Sequence, residues 1–197
     1  PTTDAVTKKD KIEVSAAKKK ITALQTITNA YKRIQGVDGK CKQLLVFNNK
    51  LLAATSTGLY EVGYESSEQI IKGSYILFVK PSDINPKNLF ICSTDGISTL
   101  TQVGGKWINN KVYSFESEYP LSLLEVNDNN LLVTTEFNVY YLTLVQGGDA
   151  SIKKLTPSDS PIESPVVLKE SNKIKVYTPN RTFTYNESKG CLVDDGI

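Results

Sequence analysis

The sequence predicts an all-β protein of β-propeller-like blades, about four repeats of roughly 40 residues, preceded by one N-terminal amphipathic helix. Three observations predict it. After Gly36 the apolar spacing changes from the 3.6-residue period of a helix to the two-residue period of strands, and it stays so to the C-terminus. Short apolar runs alternate there with clusters of Asn, Gly, Asp, Ser and Pro, the pattern of many short antiparallel strands. One hairpin-like run also recurs along the chain.

The N-terminal part comes first. Residues 1–12 are polar, rich in Lys, Thr and Asp, and read as a frayed arm. Val14, Ala17, Ile21, Leu24, Ile27, Tyr31 and Ile34 are then spaced by threes and fours, which places them on one helix face. Ser15 suits the helix start, Lys32 and Arg33 suit its negative C-terminal end, and Gly36 suits a left-handed stop. The Lys18-Lys19-Lys20 run reads as a solvated face. Residues 1–35 are thus expected to be arm and helix, and residues 36–197 the repeats.

The repeated run reads Leu51-Leu52-Ala53-Ala54-Thr55-Ser56-Thr57-Gly58-Leu59-Tyr60, then Leu89-Phe90-Ile91-Cys92-Ser93-Thr94-Asp95-Gly96-Ile97-Ser98. It returns as Leu131-Leu132-Val133-Thr134-Thr135-Glu136-Phe137-Asn138-Val139-Tyr140, and in degraded form over 174–183. Each copy is an apolar strand that ends in Thr or Ser, passes a tight turn and re-enters an apolar strand. Gly58, Gly96 and Asn138 fit a turn that needs positive φ, whereas Arg181 departs from it. An apolar stretch precedes each hairpin, at 43–47, 75–79, 121–126 and 165–168, joined to it by polar turns such as Asn48-Asn49 and Asn127 to Asn130. The unit is strand, polar turn, strand, tight turn, strand and a variable outer segment. Such a unit cannot bury both faces alone, so neighbours must stack.

Composition narrows the function. The chain has no histidine, which removes the usual general base near neutral pH, the usual partner of a Ser or Cys nucleophile, and the commonest transition-metal ligand. A net charge of +2 argues against a broad cationic nucleic-acid surface. No phosphate loop or dinucleotide fingerprint occurs, and Asn127-Asp128-Asn129-Asn130 lacks the closing Glu of a calcium loop. Asp38, Asp95, Glu116 and Glu118 are candidate carboxylates for glycosidase chemistry, but no spacing singles out a pair. Asp194-Asp195 suggests no role. Three cysteines, Cys41, Cys92 and Cys191, are too scattered for a disulfide framework and read as thiols. No catalytic residue, metal site or cofactor is expected. No apolar run reaches the roughly 18 to 20 residues that span a bilayer. Starting at Pro1 and without Met, the chain reads as a processed product, a trimmed chain or a region cut from a larger protein.

The succession Gly39-Lys40-Cys41, Gln43-Leu44-Leu45 and Leu51 to Val62 resembles the two-component-regulator type propeller repeat. So do Pro81-Ser82-Asp83, Asn85-Pro86-Lys87-Asn88-Leu89-Phe90, Asp95-Gly96-Ile97 and Gly104-Gly105-Lys106-Trp107-Ile108. Such repeats occur in sensor regions of bacterial hybrid histidine kinases and cyclase-linked receptors. The resemblance implies a non-catalytic sensor or recognition region of a larger signalling protein, on the extracytoplasmic side of a membrane. A small ligand or protein partner would bind at a propeller face, and homo-oligomers are possible. No ligand residue transfers with it.

Trp107, the sole Trp, is a weak binding candidate, as a stacking platform or as blade packing. Tyr60, Tyr113, Tyr140, Tyr141 and Tyr185 read as blade contacts, and 115–120 as a blade connection or a peptide-binding lip. Two alternatives stay open: a cytoplasmic citron-homology-type scaffold docking partners such as small GTPases, and a propeller glycosidase. Four blades are few for a ring, so the chain is expected to be part of a larger ring, to complete one with a partner copy, or to close tightly on itself.

Overall fold

The computed structural model describes residues 34–145, 149–156 and 162–196. The expected arm and helix before Ile34 lie outside the described residues. The described residues are all-β and form four four-stranded antiparallel sheets, each a meander of consecutive strands. These are the blades.

The first blade holds β1 (Cys41–Phe47), β2 (Lys50–Thr55), β3 (Gly58–Val62) and β4 (Ser67–Lys72). The second holds β5 (Ile76–Pro81), β6 (Asn88–Ser93), β7 (Gly96–Val103) and β8 (Lys106–Tyr113). The third holds β9 (Ser122–Asn127), β10 (Asn130–Thr134), β11 (Val139–Thr143) and β12 (Ser151–Lys154). The fourth holds β13 (Val166–Glu170), β14 (Lys173–Tyr177), β15 (Thr182–Asn186) and β16 (Cys191–Asp194). The variable outer segment of the sequence repeat is thus a fourth strand in every blade.

The second and third blades carry apolar residues on both faces because each is covered on both sides, whereas the first and fourth share a core with one neighbour each. Leu89 and Ile91 pack with Leu52 and Leu59 of the first blade, while Phe90 and Cys92 pack with Leu131 and Val133 of the third. Leu132 and Val139 turn the other way, onto Val167, Val176 and Phe183 of the fourth blade. Each such side chain contributes on the order of 1.5–3 kcal/mol on burial, so stacking, not the single blade, stabilises the fold. Among the described residues none of these cores joins the fourth blade to the first.

Side chains bridge successive blades near their first strands. The Gln43 carboxamide donates to Val79 O and accepts from Val79 N, both at 2.8 Å, in the manner of a strand pair. Lys80 Nζ donates to Leu123 O at 3.4 Å, and Val167 N–H donates to Ser122 Oγ at 3.0 Å.

The tight turns share one device. The Thr55 hydroxyl donates to Gly58 O at 3.0 Å, and the pairs Ser93–Gly96, Thr135–Asn138 and Thr178–Arg181 repeat it. Gly58 and Gly96 have φ of +148° and +119°, and a Cβ on either would meet the carbonyl oxygen of Ile71 or Tyr113 at 2.0 or 2.1 Å. Asn138 and Arg181 do not adopt positive φ. Their turns are instead held by a Thr hydroxyl that also accepts their backbone N–H. Arg181 is therefore compatible with its turn after all. Positive φ belongs to Asn48, Asn49, Ser171 and Asn172, which close the β1–β2 and β13–β14 hairpins.

Candidate ligand-binding groove

A groove of about 980 Å³ runs between the second and third blades. The second blade supplies Asn88 at the start of β6, Thr99 on β7, and Asn109, Asn110, Lys111 and Val112 on β8. Asn129, in the β9–β10 turn, comes from the third blade, as do Leu144, Val145, Asp149 and Ala150, which flank the β11–β12 connection.

Local chemistry positions these groups. The Asn127 carboxamide oxygen accepts from Asn129 N–H at 3.1 Å and from Asn130 Nδ2 at 2.8 Å, which folds the Asn-rich stretch into the turn its composition predicts. Asn129 O then accepts Leu144 N–H at 2.7 Å, tying that turn to the end of β11. Thr99 stands opposite both Phe90 and Asn110, and so shares the face that the second blade turns to the third.

Lys111 and Asp149 have no ion-pair partner among the described residues. No hydrogen bond to the carboxamides of Asn88, Asn109, Asn110 or Asn129 is found among them either. The wall thus presents donors and acceptors held ready for a polar ligand, with an aliphatic end at Val112 and Leu144.

Most of the other candidates engage partners within the protein, while Glu116 is exposed. The Trp107 Nε1–H donates to Glu61 Oε2 at 2.8 Å, and its ring lies 6.4 Å from that of Phe47. It packs against the core shared by the first two blades. Glu61 also accepts Lys50 Nζ at 2.6 Å, and the hydrogen bonds from Lys50 and Trp107 hold its carboxyl below the usual range. Glu118 receives hydrogen bonds from the Thr135 hydroxyl, Asn138 Nδ2 and the Tyr140 hydroxyl. Burial raises its carboxyl pKa, but these three donors outweigh burial and hold it low. Phe115 lies between Tyr113, edge-on at 5.0 Å between ring centroids, and Tyr140, tilted at 5.5 Å, so the 115–120 connection is pinned to the third blade. Asp95 accepts from Ser74 Oγ, and the Asp38 carboxylate from Gly39 N–H.

Among the described residues no cluster of three His, Cys, Asp or Glu side chains could hold a metal. Cys92 is buried, which raises its thiol pKa, and all three cysteines are free thiols. Sequence reasoning missed the groove. Asn109 and Asn110 fell in the variable outer segment, and only their adjacency to Lys111 and their position in a polar strand signalled them.

No protein-family model matches the chain, and no curated protein sequence does. Solved structures do. The chain is similar to the extracellular domain of BT4673 from B. thetaiotaomicron, assigned to a hybrid two-component system, at TM-score 0.62 and 13% identity. That match covers 85% of this chain and 23% of the other. A second structure of the BT4673 extracellular domain, assigned to a one-component system, gives TM-score 0.61, 13% identity, and 83% and 22% coverage. The N-terminal domain of Nup159 matches at TM-score 0.47 and 15% identity, over 79% of this chain and 52% of that one. The fold is a run of propeller blades. This chain spans about a quarter of the BT4673 domain's length. No helix of the described residues is long and apolar enough to cross a membrane.

Proposed function

We propose that the chain is a recognition segment of a propeller, which binds a small ligand or protein partner without catalysis and serves as the sensor region of a larger signalling protein. One observation carries the reading. The groove between the second and third blades is lined by four carboxamides, a hydroxyl, a cation and an anion, and among the described residues the carboxamides, Lys111 and Asp149 have no side-chain partner. The carboxylates of Asp38, Asp95 and Glu118 are instead engaged in holding turns and connections. Fixed polar groups around a concave, part-aliphatic wall favour binding. The likeness to the extracellular domain of a two-component system supports the sensor role and an extracytoplasmic location.

A thermal-shift screen of the chain against oligosaccharide, metabolite and peptide collections tests this reading. A ligand should raise the melting temperature of the parent chain, and should do so far less for Asn110→Ala/Asn129→Ala. Both replaced side chains are exposed, so the double variant should fold normally. Hits that stabilise both proteins equally would place recognition elsewhere.

A further inference from the structure

We propose that the outer edge of β8 docks an extended peptide, which adds to the second blade as one more strand and lies along the groove. The inference rests on the recognition reading and names the ligand class of the same groove.

The outer edges of the third and fourth blades differ from this one, and β4, the outer edge of the first, is six residues long and carries Glu68 and Lys72. β12 and β16 are four residues long, and β12 carries Lys153 and Lys154. Short, charged edges resist pairing. β8 is eight residues long, and its central Ile108-Asn109-Asn110 is uncharged, with Ile108 41% exposed. At 3.3 Å per residue that edge runs about 26 Å, enough for a peptide of roughly seven residues. Its neighbour on one side is β7, and the other side is the sheet's end.

The protein itself uses one end of this edge. Ala150 N–H donates to Val112 O at 3.0 Å, so the backbone entering β12 already places one hydrogen bond on this edge. Among the described residues no other backbone bond beyond the ladder with β7 reaches this strand. A peptide would continue the pairing from Val112 towards Lys106. Main-chain bonds of this kind give affinity, and side-chain pockets on either hand give selectivity.

The flanking chemistry fits a peptide. A carboxamide offers both donor and acceptor, matching a peptide group in either orientation, and Asn109, Asn110 and Asn129 are placed for it. Val145, 52% exposed, offers contact to one aliphatic side chain. Lys111, without an ion-pair partner among the described residues, favours an acidic residue. No aromatic ring lines the groove, so a sugar would find no ring to pack on.

The test uses blocked heptapeptides alternating Val and Thr, with one Glu placed at each position in turn. Binding is read by fluorescence anisotropy and by deuterium exchange of the whole chain. At least one peptide should slow exchange over residues 106–113, and N-methylation of its alternate amides should weaken it about tenfold or more. Asn109→Lys/Asn110→Lys, which charges the edge as β12 is charged, should weaken it comparably while leaving the melting temperature unchanged. Failure of every peptide to protect 106–113, or equal binding by the N-methylated analogue, overturns the proposal. If maltoheptaose or cellopentaose instead protects the groove, the peptide inference falls and the recognition reading stands. If no member of either class protects it, both fall.

Discussion

Lys175 and Asp195 form a 3.0 Å ion pair on the face of the fourth blade turned away from the third. In the repeat register Lys175 occupies the position of Leu52, Phe90 and Leu132, which are buried against the next blade. Thr184 donates to both oxygens of Asp195, at 2.8 and 3.0 Å. The fourth blade thus presents a polar centre where the first three present a core. Val166 and Leu168 remain exposed beside it.

Lys175→Leu should restore the apolar pattern and join it to Val166 and Leu168. Light scattering coupled to size exclusion should then give a concentration-dependent mass above that of the parent chain. An unchanged mass would mean that Lys175 does not keep this face soluble. Lys175→Ala should change stability little, as removal of a surface ion pair does.

The Glu61 carboxylate joins Lys50 of the same blade to Trp107 of the next. Its pKa is lowered in the fold, first by Lys50 and then by Trp107. Its contribution is therefore complete above about pH 4.5, the ordinary value, and is lost as pH falls through the lower folded value. Glu61→Gln should reduce stability by about 1 kcal/mol at pH 7. It should also flatten the acid limb of stability below pH 4.5, read by urea unfolding at several pH values. An acid limb identical to that of the parent chain would count against the bridge.

Leu132 is fully buried between the third and fourth blades. Leu132→Ala should cost about 2–5 kcal/mol in urea unfolding. The same change at Leu168, which is 48% exposed, should cost under about 1 kcal/mol. Similar costs at the two sites would refute the assignment of faces.

Gly58 and Gly73 separate two effects of positive φ. A Cβ at Gly58 would lie 2.0 Å from Ile71 O, whereas one at Gly73, φ +73°, meets nothing within 4 Å. Gly73→Ala should cost about 1–2 kcal/mol, the price of the left-handed backbone alone. Gly58→Ala should cost distinctly more, with the difference read from paired thermal melts.

Much of the fold was legible because one constraint repeats. Every blade needs a Thr or Ser before its tight turn and alternating apolar residues on its second strand, and both survive in 174–183 despite the changes there. The positive-φ reading of Asn138 failed because a side-chain hydroxyl can close the turn as well as a left-handed residue can. The groove was not legible, since it arises where the edge of one blade meets a turn from the next. Asn110 and Asn129 are 19 positions apart, one on β8 of the second blade and the other in the β9–β10 turn of the third, and no periodicity links them. The bond from Trp107 to Glu61, which stands on the preceding blade, was likewise beyond the reach of periodicity.

The most direct test is chemical-shift mapping of the ¹⁵N-labelled chain titrated with a ligand that stabilises it. The account predicts shifts concentrated at Asn88, Thr99, Asn109 to Val112, Asn129 and Leu144. Shifts concentrated instead at the tight turns of Gly58, Gly96 and Arg181, with the groove silent, would contradict it.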